Sequence, residues 1–269
     1  MKISNSTEKI KFKYHYTIKN KLLTDNIKIM GIENDHIFNN IRRKKTFYEH
    51  DLLFHLFKTI RSKNSTIIDV GANIGNHSIY FGKYLCDKVI SIEPSKLHSN
   101  ILKKNLSSNL PNEKYEIHQI AVGNEIGYVN LVFPSDINLG AAKIDEPADY
   151  DNLNSEKVSI NKLDNIIHDS NISMLKIDVE GFEINVLKGA KKIIENNLPH
   201  IIVEAHDEKY LNEIKKFLIP YNYKILGRFC YTPTYHFISK SKNNINNNSI
   251  FEKIMYQLVY IKNKLNKHI

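Results

Sequence analysis

The chain has 269 residues, of which 42% are hydrophobic, 25% charged and 10% aromatic, and its formal net charge is +9. This length and apolar fraction suit one large domain or two small ones with a sizeable core, and they exclude a disordered chain. The two cysteines, Cys86 and Cys230, lie far apart in the sequence. That spacing excludes a disulfide framework and a cysteine-built zinc site.

Residues 1–8 lack the apolar core of a secretory signal. No stretch approaches the ~20 apolar residues of a membrane-spanning helix. We therefore expect a cytoplasmic protein.

The positive charge is concentrated at the two ends of the chain. Residues 1–63 carry 14 Lys and Arg against 6 Asp and Glu, and residues 240–269 carry 6 against 1. The middle, residues 64–239, is slightly acidic, with 18 against 22. Because basic runs are more often solvated surface than phosphate-binding tracks, a nucleic-acid partner is disfavoured but stays an alternative.

Beyond the basic N-terminal segment, strands and helices alternate. An apolar stripe predicts a first helix near residues 47–57. Strands are predicted at 67–70, 88–93, 115–122, 128–133, 174–179 and 200–206, and helices at 77–84, 98–106, 183–194 and 210–218. Segments 223–229 and 235–239 are expected to form a closing hairpin. This alternation is typical of a mostly parallel sheet covered on both faces.

Two finer predictions concern the middle of the chain. The strand at 128–133 is expected to pair antiparallel with the preceding strand across residues 123–127. The acidic segment 145–152 has no periodicity and is predicted to be an exposed loop.

We divide the chain into a basic N-terminal extension and helix (1–63), an α/β domain (64–240), and an Asn-rich linker with an amphipathic basic helix (241–269). The apolar face of that last helix is expected to pack on the body of the protein or on a second copy in a homodimer. Peripheral contact with anionic lipid is the alternative.

A glycine-containing turn follows the strand at 67–70. Gly71 permits a tight turn and close approach of a ligand, and the helix start after it offers backbone N–H groups to a carboxylate or phosphate. About twenty residues on, Glu93 ends the next strand, where a carboxylate can accept hydrogen bonds from ribose hydroxyls. The turn lacks the Gly-x-Gly-x-x-Gly fingerprint of dinucleotide-binding proteins, which favours S-adenosylmethionine as the ligand.

A second group of polar residues lies near the ends of two later strands. Asp178 lies at the end of one strand, and Glu204 and His206 lie on one face of the next. If these strands are neighbours, the three side chains gather at one rim. They could act as a general base on a hydroxyl, or Asp178 and Glu204 could hold a divalent cation such as Mg²⁺. Glu180 and Glu183 have a plain alternative as first-turn acids that complement the helix dipole, and His206 has one as a surface residue at the end of a strand.

The chain resembles the FkbM-type S-adenosylmethionine-dependent methyltransferases. The motifs that carry the resemblance are residues 68–78 (IDVGANIGNHS), 92–94 (IEP), 176–183 (KIDVEGFE), 186–189 (VLKG) and 203–204 (VE). The resemblance extends from residue 47 to residue 239. It implies a Rossmann-like class I methyltransferase fold with a mostly parallel seven-stranded sheet.

The resemblance also implies a set of cofactor-binding residues. Ribose would be bound by Glu93, adenine would lie beside Ala121, and Glu49 would help to hold the methionine end. The remaining residues implied for the cofactor are Asp69, Gly71, Asn73, Gly75 and Asn76.

Members of the family are mostly O-methyltransferases, so the resemblance implies transfer of a methyl group to a hydroxyl of a small molecule, sugar or glycan. Asp178, Glu204 and His206 are the predicted catalytic residues. Two alternatives stay open: a nucleic-acid methyltransferase that uses the basic ends, and a non-catalytic cofactor-binding module. The presence of Asp69, Glu93 and Asp178 argues against the second.

Overall fold

The computed structural model describes residues 6–18, 21–33, 35–60, 64–133, 143–145 and 155–240. The predicted linker and terminal helix at 241–269 lie outside these residues, and so do the dimer and lipid contacts expected of that helix. Of the predicted acidic loop, only Asp145 is described, and it ends a short strand. Within the described ranges, no helix combines the length and the apolar content that crossing a bilayer demands.

The N-terminal part of the chain forms a long antiparallel hairpin that the sequence analysis did not predict. Strand β1 (Thr7–Ile18) pairs with β2 (Lys21–Ile32). Buried and exposed side chains alternate along β1, as expected of a strand with one covered face. The buried ones are Ile10, Phe12 and Tyr14, and the exposed ones are Lys9, Lys11 and Lys13.

Two helices follow the hairpin. Helix α1 (His36–Lys44) is capped by Asp35, whose carboxylate accepts the backbone N–H of Phe38 at 2.8 Å. Helix α2 (His50–Thr59) is the predicted first helix, displaced by a few residues from its expected bounds.

The rest of the described chain contains the remaining strands and helices. The strands are β3 (Thr66–Val70), β4 (Lys88–Ile92), β5 (Tyr115–His118), β6 (Ala121–Val122), β7 (Gly127–Val132), β8 (Lys143–Asp145), β9 (Ser155–Asn161), β10 (Ile172–Ile177), β11 (His200–Glu204), β12 (Tyr223–Phe229) and β13 (Thr234–Ser239). The helices are α3 (Asn76–Tyr84), α4 (Lys96–Asn109), α5 (Leu163–Ile166), α6 (Glu183–Gly189), α7 (Lys191–Asn197) and α8 (Glu208–Leu218).

Seven of these strands form the central sheet in the order β12-β13-β11-β10-β3-β4-β5. Strands β11, β10, β3, β4 and β5 are parallel, and the β12–β13 hairpin closes one edge in antiparallel pairing. The predicted mostly parallel seven-stranded sheet with a closing hairpin is therefore confirmed. Since β10 lies between β3 and β11, the carboxyl ends of these three strands meet at one edge.

Both faces of the central sheet are covered. On one face the N-terminal hairpin, α2, α3 and α4 share a hydrophobic core, which includes Phe47 and Tyr80. On the other face α6, α7 and α8 pack against the sheet. All five side chains of β3 are consequently buried, as is usual for a parallel strand between two layers. The described residues among 6–60 thus form part of the body that supports the sheet.

The predicted pairing around residues 115–133 is wrong. The expected single strand at 115–122 breaks into β5 and β6, which belong to different sheets. Strand β7 does not pair with β6, because β9 lies between them, parallel to β6 and antiparallel to β7. Strand β9 was not predicted, although its buried Val158 and Ile160 alternate with more exposed neighbours.

The predicted helix at 183–194 is broken at Ala190 into α6 and α7. Gly189, at the end of α6, lies so close to the turn after β6 that an added Cβ would be 1.9 Å from the Gly123 carbonyl oxygen. This close approach ties α6 to the smaller sheet.

Candidate active site

The turn between β3 and α3 is held against the ends of its two neighbouring strands. The backbone N–H groups of Gly71 and Ala72 both donate to the Ile92 carbonyl at 3.0 Å. Gly71 has φ +76°, and a Cβ there would lie 1.8 Å from the carbonyl oxygen of Asp178. Only glycine fits this position, because it tolerates the left-handed backbone and leaves room for the end of β10.

Glu93, just after β4, is fixed by two backbone N–H groups. Asn73 donates to Oε2 at 2.8 Å, and Ser95 donates to Oε1 at 2.9 Å. Burial raises the pKa of Glu93 to about 7; these two hydrogen bonds oppose that shift, and the nearby Asp69 and Glu156 carboxylates add to it. Each carboxylate oxygen keeps accepting capacity for a ligand hydroxyl.

A buried ammonium group links the ends of β3 and β10. Lys176 Nζ lies 3.3 Å from Asp69 Oδ1 and 3.3 Å from Asp178 Oδ2. Burial alone would lower the pKa of Lys176, but Asp178, Asp69 and Glu49 together raise it above its ordinary value. Lys176 therefore stays charged, and it holds Asp178 at the edge of the sheet.

The segment before α2 reaches this edge through a pair of amide contacts. The side chain of Asn76 accepts the Tyr48 N–H at 2.9 Å and donates to the Tyr48 carbonyl at 3.2 Å. The next residue, Glu49, has its Oε2 3.3 Å from His77 Nε2. Burial alone would raise the pKa of Glu49, but His77, the Cys230 thiol and Lys176 lower it below its ordinary value. Glu49 is therefore an anion.

These parts surround one cleft, whose empty space is about 980 Å³ when the part open to solvent is included. Six of the eight predicted cofactor-binding residues line it: Glu49, Gly71, Asn73, Asn76, Glu93 and Ala121. Asp178, one of the predicted catalytic residues, lines it as well, and its side chain is 38% exposed.

The other two predicted cofactor-binding residues do not line the cleft. The carboxylate of Asp69 is fully buried and accepts the Ser78 hydroxyl at 2.6 Å as well as pairing with Lys176. Gly75 is the N-cap residue of α3, with φ +90°, and a Cβ there would lie 2.7 Å from Leu102. Asp69 thus joins β3 to β10 and α3 through its contacts with Lys176 and Ser78, and Gly75 allows α3 to pack on α4.

The predicted cluster of Asp178, Glu204 and His206 differs in the structure, because Glu180 takes the place of Asp178. Glu180, Glu204 and His206 each have one atom that could ligate a metal ion, and these three atoms lie within 4.8 Å of one another. His206 Nε2 lies 3.7 Å from Glu204 Oε2. Neither of these two residues lines the cleft, whereas Glu180 does. The group therefore lies at the cleft's rim.

Glu183, left open between a structural and a functional role, stabilises the turn after β10. Its Oε1 accepts the backbone N–H groups of Val179 and Gly181, at 3.2 Å and 3.1 Å. This turn places Glu180 beside Asp178.

Sequence reasoning missed four residues of the site: Tyr48, His77, Lys176 and Cys230. Lys176 had a signal, because a lysine in an apolar parallel strand needs a charged partner. Tyr48 directly precedes Glu49, and burial with nearby anionic groups raises the pKa of Tyr48 to about 12. The contact of Cys230 with Glu49 joins positions too far apart in the chain for any local pattern to reveal.

Comparison with known proteins identifies relatives of the chain. It is 26% identical over 175 residues to "Methyltransferase sdnD" of Sordaria araneosa, a match that spans 53% of this chain and 66% of that protein. It is 25% identical over 166 residues to "Methyltransferase 1" of Beauveria bassiana (strain ARSEF 2860), a match that spans 54% of this chain and 66% of that protein. The chain thus matches just under two thirds of the length of these curated relatives.

A solved structure with a similar fold is the methyltransferase FkbM from Methylobacillus flagellatus KT, with a TM-score of 0.53 and 21% sequence identity. The superposition covers 72% of this chain and 49% of that one. This likeness supports the predicted Rossmann-like methyltransferase fold. The family model described as "Methyltransferase FkbM domain" matches residues 69–225, which is more than half of the chain. The chain therefore belongs to the FkbM methyltransferase family.

Proposed function

We propose that the protein is an S-adenosylmethionine-dependent O-methyltransferase that acts on a hydroxyl of a sugar or glycan. The observation that carries the proposal is that the glycine turn, Glu93 and Glu49 face one cleft beside Asp178. The first three are the groups expected for the cofactor, and the last is a carboxylate where the acceptor would have to enter.

The residues present fit this cofactor. Glu93 is held by backbone donors at the cleft wall, so it can accept from ribose hydroxyls without reorganising. The described lining contains four carboxylates, Glu49, Glu93, Asp178 and Glu180, against one ammonium, Lys176. S-adenosylmethionine carries a sulfonium and an ammonium, so an acidic cleft favours it electrostatically.

S-adenosylmethionine, when bound, supplies the methyl group. In our proposal the protein positions the acceptor and removes its proton. Asp178 is the residue best placed to accept the proton of the acceptor hydroxyl, because its carboxylate lines the cleft and is partly exposed. Lys176 keeps that carboxylate in place and would stay behind it during the reaction. Glu204 and His206 lie at the rim, where they can contact the acceptor.

The chemistry of the lining supports a neutral, hydroxyl-rich acceptor. Asp178, Glu180 and the phenol of Tyr48 can each form hydrogen bonds with sugar hydroxyls. Within the described part of the lining, Lys176 is the one Lys or Arg, and it is already paired. A phosphate backbone would find no free cation there.

Calorimetric titration with S-adenosylmethionine tests the cofactor assignment, and binding of one molecule per chain is expected. Absence of binding at millimolar cofactor would overturn the proposal. Transfer of a labelled methyl group to nucleotide-activated sugars and lipid-linked oligosaccharides then tests the acceptor class. Cofactor binding without transfer to any of these sugars would refute the acceptor assignment alone.

A nucleic-acid acceptor is the second candidate, because of the exposed lysines on the hairpin. Lys9, Lys11 and Lys13 follow one another on the exposed face of β1, and Lys28 lies opposite Lys11 on β2. This candidate requires RNA or DNA binding that weakens steeply with salt. A flat salt response, or no binding, would dismiss it.

A further inference from the structure

We propose that Glu180, Glu204 and His206 bind one divalent cation at the rim of the cleft. A role for this cation beside the acceptor rests on the proposed function, whereas cation binding itself does not.

The geometry of the three side chains suits a single ion. Their ligating atoms lie within 4.8 Å of one another, and Glu204 Oε2 lies 3.7 Å from His206 Nε2. Two ligands at ~2.2 Å from a common ion are separated by about 3 to 4.4 Å, depending on the angle between them. Small side-chain movements would therefore bring all three onto one cation.

The state of Glu204 gives an independent reason to expect a ligand. This residue is only 7% exposed, and its Oε2 has no hydrogen-bond partner among the described residues. Buried carboxylate oxygens are almost always paired, because leaving one without a partner costs free energy. This oxygen accepts no hydrogen bond from the described residues, and it is the atom that lies nearest His206 Nε2, at 3.7 Å, so it is directed into the proposed site.

The surrounding charge is of the sign that attracts a cation. The carboxylates of Glu180, Asp178 and Glu183 interact unfavourably with a negative charge on Glu204, and the ammonium of Lys176 interacts favourably with it. A bound cation would offset this repulsion.

The structure also indicates which carboxylates can be ligands of the cation. The sequence analysis named Asp178 and Glu204 as ligands, but Asp178 Oδ2 is paired with Lys176 Nζ. Glu180 replaces it, and because Glu180 lines the cleft, the ion would be accessible from the acceptor side. Two carboxylates and one imidazole suit Mn²⁺ or a similar divalent ion. Coordination positions beyond these three would stay open to water or to an acceptor hydroxyl, whose acidity the cation would raise.

Titration with Mn²⁺ followed by electron paramagnetic resonance tests the proposal without any catalytic assay. The wild-type chain should bind one Mn²⁺, and Glu204→Gln and Glu180→Gln should each weaken binding by about tenfold or more. The matched control is Glu213→Gln, on the exposed face of α8, which should bind as the wild type does.

Coordination by a histidine nitrogen distinguishes the proposed site from any other Mn²⁺ site on the protein. The Mn²⁺ spectrum should show modulation from a coordinated imidazole nitrogen, and His206→Ala, an exposed and therefore tolerant position, should abolish it. Absence of stoichiometric binding at millimolar Mn²⁺, or equal binding by wild type and variants, would overturn the proposal. S-adenosylmethionine binding measured in chelator should be the same in the wild type, Glu204→Gln and His206→Ala, because neither Glu204 nor His206 lines the cleft. A failed cation site and a failed cofactor site are therefore distinguishable.

Discussion

Lys176 Nζ lies 3.3 Å from Asp69 Oδ1, and both side chains are almost completely buried, at 3% and 0% exposure. The pair joins the centre of the sheet to the candidate site, because Lys176 also holds Asp178. A buried charge is tolerated only while its partner is present, since neither group can be solvated by water.

Lys176→Met should therefore destabilise the protein by about 3–5 kcal/mol, because it leaves Asp69 as an unpaired buried charge. Denaturant unfolding measures the effect. The double variant Lys176→Met/Asp69→Asn should recover a substantial part of the loss, since it removes that charge. Equal stability of the wild type and Lys176→Met would contradict the pairing.

Gly71→Ala should prevent the β3–α3 turn from packing on β10, because the new Cβ would be 1.8 Å from the Asp178 carbonyl oxygen. We expect a large loss of stability together with loss of S-adenosylmethionine binding. Gly127→Ala is the control: Gly127 also has positive φ, at +155°, but no atom lies within 4 Å of the Cβ position. Thermal unfolding and calorimetry of both variants separate the steric clash from backbone strain.

The central sheet could be predicted because its strands are short apolar runs separated by helices, and each signal is local. Residues such as Gly71 and Glu93 follow directly from their positions at strand ends. The contacts that complete the site are not local. The pairing of Cys230 with Glu49 and the insertion of β9 between β6 and β7 depend on the folded chain. The N-terminal hairpin, in contrast, does have a local signal. The alternation of Ile10, Phe12 and Tyr14 with lysines indicates a strand with one buried face, but this strand was not predicted.

Cofactor affinity should depend on the protonation of Glu93, whose pKa is raised to about 7 by burial. Below that pH the folded protein carries a neutral carboxyl, which is a weaker acceptor for ribose hydroxyls. Affinity for S-adenosylmethionine should fall by about tenfold from about pH 8 to about pH 6. Glu93→Gln should bind S-adenosylmethionine more weakly than the wild type does at about pH 8. Its affinity should lack the fall that protonation of Glu93 causes in the wild type. A ratio of wild-type to Glu93→Gln affinity that does not change with pH would refute the assignment.

Asp178→Asn should lower the rate of methyl transfer by ~10²–10⁴-fold while leaving S-adenosylmethionine affinity nearly unchanged. The amide keeps the size of the side chain but cannot accept a proton at neutral pH. Turnover with a labelled cofactor and calorimetry provide the two measurements. Full activity of Asp178→Asn would show that another group takes the proton.

Three histidines form a hydrogen-bonded chain beneath the β12–β13 hairpin. His236, which is fully buried, has Nδ1 2.8 Å from His55 Nε2 and Nε2 2.8 Å from His200 Nδ1. Burial lowers the pKa of His55 to about 4, and burial together with the neighbouring histidines lowers that of His236 well below its ordinary value. The folded protein therefore keeps these two rings neutral at pH values where the unfolded chain protonates them.

This difference fixes the sign of the pH dependence of stability. Between about pH 6.5 and pH 4 the unfolded state binds more protons at His55 and His236 than the folded state does, so their contribution to stability falls as the pH falls. His236→Asn removes one of these groups and leaves its partners unsatisfied, at a cost of about 1–3 kcal/mol near neutral pH. The gap in unfolding free energy between the wild type and His236→Asn should therefore narrow on acidification. Denaturant unfolding at several pH values measures this gap, with the exposed His168→Asn as the control. A gap that widens toward acid pH would mean that His236 is charged in the folded protein, and the neutral chain would have to be abandoned.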